Sequence, residues 1–241
     1  MKQQVKSKER VTNHGEVFTA EREVNAMLDL VKQETERIDS RFLEPACGDG
    51  NFLAEILRRK LAVVKRNYKK SAHDYEKYAI LSLMSIYGVD IMQDNVEICR
   101  KRLFNIWNEQ YTKTCRTETS DEARKTAEYI LSKNIICGNA LTMMQVDSEC
   151  NDTDNYITFS EWSFVLGDKV KRRDFRLDQL LDGSNNLNRD ARVDWEYDEE
   201  TKAYIPGPIA EYDITGYLNL PYVEDKTNSK TEEEPKQLSF F

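Results

Sequence analysis

Phe42-Leu43-Glu44-Pro45-Ala46-Cys47-Gly48-Asp49-Gly50-Asn51-Phe52-Leu53 decides how this chain is read. A short apolar run stops at Pro45, a turn with two glycines follows, and helical spacing takes over at Asn51. A strand–turn–helix unit of this kind sets a helix N-terminus at the end of a sheet. The first N–H groups of that helix have no partner inside it, so they suit a polar or anionic part of a nucleotide-like ligand. Gly48 and Gly50 permit positive φ and close approach by the ligand. A lone Gly-x-Gly also suits an ordinary turn. The dinucleotide fingerprint is not met, because Leu53 stands where its third glycine belongs and no acidic residue closes a strand about 20 residues on.

The length, 241 residues, allows one sizeable core with a small appendage. No apolar run approaches the roughly 20 residues of a membrane span. Met1 to Arg10 is basic and polar without an apolar stretch behind it, which is unlike a secretory signal, so a cytoplasmic protein without membrane contact is expected. The five cysteines (Cys47, Cys99, Cys115, Cys137, Cys150) are scattered and the only histidines are His14 and His73. That argues against a disulfide framework and against a metal site. A net charge of −8 excludes a protein that coats nucleic acid unaided. Basic clusters at Arg58-Arg59-Lys60, Lys65-Arg66, Lys69-Lys70 and Lys169 to Arg176 could follow phosphates or form solvated faces.

On the N-terminal side, His14-Gly15-Glu16-Val17-Phe18-Thr19 leads into a helical pattern from Ala20 to about Ile38, with Thr19 as the expected N-cap. On the C-terminal side, helices are expected to about Tyr68 and from Tyr75 to Ile86. Tyr87-Gly88-Val89-Asp90-Ile91 then reads as a buried strand with an acid near its carboxyl end, the end at which α/β sheets bind ligands. A carboxylate there can accept bonds from two ribose hydroxyls. Gln93 to Tyr111 and Asp121 to Leu131, the latter capped by Ser120, read as helices. Asn134 to Leu141 is a strand ending in Gly138-Asn139-Ala140-Leu141, and an Asn side chain can both donate to and accept from an adenine edge.

Glu44 to Leu53 closely resembles the S-adenosylmethionine-binding motif of the DNA adenine-N6 methyltransferases of restriction–modification systems. Gly15 to Thr19 resembles the N-terminal motif of that family, with Ala20 where Pro is usual; Asp90 resembles its ribose-binding acid, and Asn139 its adenine-binding residue. The resemblance covers about Gly15 to Leu141. It implies a Rossmann-like class I methyltransferase sheet of the α/β class with flanking helices, here incomplete. It implies S-adenosylmethionine as cofactor, held by Phe18, Thr19, Glu44, Pro45, Ala46, Cys47, Gly48, Asp49, Gly50, Asp90, Ile91, Asn139, Ala140 and Leu141. The expected division is a cofactor-binding core over 1–150, a strand-and-hairpin appendage over 151–222 and a disordered acidic tail over 223–241.

The resemblance stops before the strand that such an enzyme needs to end in Asn/Asp-Pro-Pro-Tyr/Phe. The exocyclic amine of adenine is a poor nucleophile, and that motif accepts its N–H bonds while the aromatic ring stacks on the flipped base. Tyr156 to Val165 alternates as a strand, Asp174 is expected to cap a short helix to Leu181, and a hairpin is expected around Asp198 to Thr201. Tyr212 to Tyr222 echoes the missing motif with Asn219, Pro221 and Tyr222, Leu220 replacing its first Pro. The last residues, Gln237-Leu238-Ser239-Phe240-Phe241, resemble the peptide by which bacterial proteins dock on the sliding clamp, Leu238, Phe240 and Phe241 serving as apolar anchors.

Three functions are compatible with these residues. The first is the cofactor-binding part of a DNA adenine-N6 methyltransferase, whose catalytic strand and target recognition come from a second subunit that brings it to DNA. The second is a non-catalytic S-adenosylmethionine-binding module tethered to the clamp. The third is a complete methyltransferase acting on another substrate class.

Overall fold

The computed structural model describes residues 19–181, 195–199 and 202–223. The chain opens with helices α1 (Glu21–Leu30) and α2 (Lys32–Thr35), then enters strand β1 (Phe42–Glu44). Helices α3 (Asn51–Tyr68) and α4 (Ala72–Met84) follow, then β2 (Ile86–Asp90), α5 (Gln93–Cys115), α6 (Asp121–Asn134) and β3 (Ile135–Asn139). β1, β2 and β3 pair in parallel, in that order, with Leu43 opposite Tyr87 and Asp90 opposite Cys137. A hairpin, β4 (Met144–Val146) and β5 (Asp152–Tyr156), then extends the sheet antiparallel beyond β3.

Strand alternation divides the side chains between two layers. Ile86 and Ile135 point into the main core among the helices, with Leu53, Leu57, Ile80, Leu103, Trp107 and Ile130 fully buried there. Tyr87 and Val89 face the opposite side and pack on Ile157, Phe159 and Leu177. Those last residues introduce a second sheet. Its long hairpin, β6 (Thr158–Leu166) and β7 (Lys169–Arg176), runs into helix α7 (Leu177–Leu181). Strands β8 (Trp195–Asp198) and β9 (Ala203–Pro206) form a separate hairpin, and β10 (Ala210–Glu211) and β11 (Thr215–Gly216) both pair with β7. The described chain ends in a 3-10 helix over Tyr217–Tyr222.

Several local expectations are corrected. The first helix breaks at Val31, where φ is −117°, and its N-cap is Ala20 with no side-chain bond rather than Thr19. The basic run Lys169 to Arg176 is a strand. Asp174 lies inside it, buried, accepting from Arg172, Ser160 and Tyr212 instead of capping a helix. Ser120 does cap α6, its Oγ accepting from the Ala123 amide at 3.1 Å. Trp162, Val170, Tyr217 and Leu220, all from the stretch 151–222, belong to the same core as the helices. Trp162 donates through Nε1 to Asn134 at 2.9 Å, and Asn134 in turn donates to the carbonyls of Leu83 and Ile86. No helix among the described residues is long and apolar enough to cross a membrane.

Candidate cofactor site

The site is built where β1 and β2 end. Cys47 continues the β1–β2 pairing through a 2.8 Å bond from its amide to the Val89 carbonyl, so the glycine turn leaves the sheet beside Asp90. Gly48 has φ +52° and Gly50 +85°, backbone that glycine adopts at little cost. A Cβ on Gly50 would also lie 2.6 Å from the Cys99 sulfur. Gly50 is the N-cap of the eighteen-residue helix α3 and supplies no side-chain cap. The positive end of the α3 dipole therefore opens onto the turn.

Asp90 ties the pieces together. Its Oδ2 accepts from the Gly48 amide at 2.8 Å, and its Oδ1 accepts from the Met92 amide at 2.9 Å and the Asn95 amide group at 3.1 Å. One carboxylate thus joins the turn after β1 to the start of α5, at the mouth of the sheet. Arg102, two turns further along α5, donates to the Asp49 carbonyl and to the side chains of Asp49 and Asn51, fixing the turn from its outer side. Asn51 donates to the Thr19 carbonyl at 3.3 Å, which brings Thr19, the last residue of the N-terminal motif, to the same place. Phe18 lies outside the described residues.

The surroundings of the turn are partly buried and acidic. Burial raises the Glu44 carboxyl above its ordinary range. The Cys47 thiol is raised strongly by the adjoining Cys99 thiol, then by burial and by the negative charges of Asp90 and Glu44. Burial, with Cys150 and Asp90 nearby, brings Cys137 to about 11. Thiols held in this state are poor nucleophiles at neutral pH and act here as packing groups. Among the described residues no cluster of His, Cys, Asp and Glu could hold a metal ion.

The third expected motif is placed at the neighbouring strand end. Asn139 closes the tight turn from β3 to β4, its Oδ1 accepting from the Leu141 amide at 3.0 Å while its Nδ2 donates to Asp152 at 3.1 Å. Ala140 packs on the second core and Leu141 is 93% exposed. Ile91 follows Asp90, and its carbonyl accepts from both Cys137 and Cys150. The structure therefore gathers Glu44 to Gly50, Asp90, Ile91 and Thr19 into one bend. It sets Asn139, Ala140 and Leu141 one strand further across. Asn95, Cys99 and Arg102 also contribute, and they were not singled out by the sequence because they carry no motif, only helical spacing on the face of α5.

Asn219, Pro221 and Tyr222, whose echo of the missing motif is better read as chance, take no part in the bonds that build this bend. They sit in the terminal 3-10 helix, anchored by Tyr217, which donates to Glu76 at 2.7 Å and accepts at its carbonyl from Thr126 of α6. Tyr111 of α5 meets the same Glu76. The glycine turn is met by Cys99 and Arg102, and Tyr111 is about 18 Å further along α5 than Cys99. With Leu220 buried in the core and Tyr222 lying beside Lys125, this segment packs against helix α6.

Parallel strands with a glycine turn, an acid on the next strand and an uncapped helix N-terminus form the kind of α/β sheet end at which nucleotide-like ligands ordinarily sit. The sequence matches the family described as "MmeI, DNA-methyltransferase domain" over residues 18–175, and the chain belongs to that family. It is 34% identical over 108 residues to a putative type II restriction enzyme and methyltransferase of Methanocaldococcus jannaschii, a match covering 42% of this chain and 8% of that protein. It is 23% identical over 145 residues to DNA methyltransferase A of Bacillus subtilis, covering 58% of this chain and 16% of that one. The chain thus spans less than a fifth of the length of either relative. No solved structure matches it.

Proposed function

We propose that this chain binds S-adenosylmethionine as the cofactor-holding part of a DNA adenine-N6 methyltransferase of the restriction–modification type, and that the strand carrying the amine-binding groups belongs to a second polypeptide. The observation that carries the reading is the Asp90 carboxylate at 2.8 Å from the Gly48 amide, at the carboxyl ends of adjacent parallel strands. Bound there, the cofactor supplies an electrophilic methyl group on a sulfonium.

The residues present fit that group by their chemistry. Asp90 keeps one acceptor site on Oδ2, beside the Gly48 amide, for a ribose hydroxyl. The glycine turn and the N-terminus of α3 receive the carboxylate of the methionine part. Thr19, with Phe18 before it, covers the methionine end. Ile91 offers an apolar surface to the base, and Asn139, Ala140 and Leu141 approach the adenine edge. Asp49, held by Arg102, keeps the turn in place. None of the described residues at the bend can accept both N–H bonds of a target amine in the manner of an Asn-Pro-Pro-Tyr turn, which is the reason for placing that step in a partner.

Calorimetry with S-adenosylmethionine tests the first half. One site, lost in Asp90→Ala, is the expected result, and no heat up to millimolar cofactor would sink the reading. Copurification of a second subunit and methyl transfer to DNA by the pair, but by neither chain alone, tests the second half. The clamp-like peptide at Gln237, Leu238, Phe240 and Phe241 lies outside the described residues. It remains part of the proposal as a tether to replicating DNA.

A further inference from the structure

Three sulfurs from separate segments meet beside the carboxyl end of β2. The Ile91 carbonyl, one residue beyond Asp90, accepts from the Cys137 thiol at 3.6 Å and from the Cys150 thiol at 3.5 Å. Cys150 also lies 3.7 Å from the Met92 sulfur. Cys137 belongs to β3, in register with Asp90, whereas Cys150 stands in the turn between β4 and β5. Both are half-buried, unlike Cys47 and Cys99, which lie buried beneath the glycine turn.

The turn that carries Cys150 is closed on itself. Asp147 accepts at Oδ1 from the amides of Glu149 and Asn151, at 2.8 and 3.0 Å, and its carbonyl accepts from the Cys150 amide at 3.1 Å. Within it Cys150 adopts φ +64°, backbone that an L side chain enters at a cost. Glycine or asparagine meets such a position more easily, so turn formation alone does not account for a cysteine there. What the cysteine adds is a thiol aimed at the oxygen that Cys137 already holds.

We propose that Cys137 and Cys150 are a reversible modification site, which hydrogen peroxide converts to a disulfide that weakens cofactor binding. The oxygen–oxygen bond of the peroxide breaks as the Cys150 sulfur takes one oxygen, giving a sulfenic acid and water. The Cys137 sulfur then displaces that hydroxyl as a second water, so both thiol hydrogens leave in the waters and two electrons pass to the peroxide. Towards reagents in solution Cys137 stays a packing group, because burial and the neighbouring Cys150 hold its pKa at about 11. Nearness to the oxidised partner offsets that handicap. A disulfide carries no S–H, so Ile91 loses both donors. Drawing Cys150 towards β3 also takes it from Met92, whose amide holds the Asp90 Oδ1. The effect on the cofactor rests on the functional reading above; the disulfide itself does not.

The test treats the reduced full chain with millimolar hydrogen peroxide, quenches with catalase and maps the peptides by mass spectrometry. The expected product joins the Cys137 and Cys150 peptides, lighter by two hydrogen atoms than the reduced pair, and dithiothreitol reverses it. Calorimetry with S-adenosylmethionine on the oxidised chain should show affinity lowered at least about fivefold and restored on reduction. Cys137→Ser and Cys150→Ser should each abolish the cross-link and make cofactor affinity indifferent to peroxide. If one variant fails to fold, the other and the wild-type map decide. Pairing of Cys47 with Cys99, a sulfinic acid at Cys150, or no cross-link overturns the proposal. So does a cross-link that leaves affinity unchanged, or a loss of affinity that dithiothreitol does not reverse, which belongs to methionine oxidation. A reduced chain that binds no cofactor ends the functional reading instead, and the cross-link is still decided by mass.

Discussion

Gly50 shows how tightly a single position is determined. Gly50→Ala would force an L side chain to φ +85° and push its Cβ onto the Cys99 sulfur. A cost of about 1–3 kcal/mol in chemical denaturation is expected from the backbone alone. Adding Cys99→Ala should recover the steric part and leave the conformational one. Asp90→Asn is nearly isosteric but loses the charge. Cofactor affinity should fall about ten- to hundredfold in calorimetry while the fold survives. Lys60 offers a pH test. It is fully buried, bonded to the carbonyls of Arg37, Ile38 and Ser40 and to the Ser85 hydroxyl, and burial lowers its pKa to about 7. An unfolded lysine titrates near 10.4. Between these two values the unfolded chain binds more protons, so the Lys60 contribution to stability rises with pH from about 7 upward. The stability difference between wild type and Lys60→Met, measured by denaturant melts from pH 6 to 9, should therefore grow in favour of the wild type as pH rises. A flat difference would show that Lys60 keeps its ordinary pKa.

At the level of elements, the terminal 3-10 helix is a packing device. Asn219→Ala and Tyr222→Ala should leave cofactor affinity and any methyl transfer by the assembled enzyme unchanged. Tyr217→Phe, which strips a hydroxyl from the buried Glu76, should lower stability by about 1–3 kcal/mol. Helices α3, α5 and α6 were legible in the sequence because their apolar residues recur at helical spacing and Ser120 marks a start. The three parallel strands themselves were legible because each ends in a polar motif. The β4–β5 hairpin was not, since Asp152-Thr153-Asp154-Asn155-Tyr156 is mostly exposed and carries no alternation. β7 was hidden by its charges. Its strand state comes from pairing with β6, and Arg172, Arg173 and Arg176 are matched by Asp174, Glu161 and Asp178. Propensity cannot reveal such tertiary compensation. For the same reason the basic run is a weak candidate for phosphate contact.

Taken whole, the described residues gather the glycine turn, Asp90 and the start of α3 at one end of the sheet, and none of them there forms an Asn-Pro-Pro-Tyr turn. Deleting Gln237 to Phe241 should abolish capture by an immobilised sliding clamp and leave S-adenosylmethionine binding unaltered; unchanged capture would remove the tether from the proposal. The motifs of the cofactor half could be read because each is local, a few residues at one strand end. The position of Tyr212 to Tyr222 could not, because it depends on where Tyr217 finds its buried acceptor, 141 positions away in sequence.

The Trp162–Asn134 bond bears on how such a chain can be inherited. Asn134 already serves two carbonyls at the junction of α4 with β2, so the indole from the second sheet completes its bonding. A recombination event near residue 150 that exchanged the C-terminal stretch for a homologue lacking the tryptophan would leave the Asn134 Oδ1 without its donor in the interior. The two residues should travel together through descent, and a natural chimaera carrying one without the other is expected to be poorly folded.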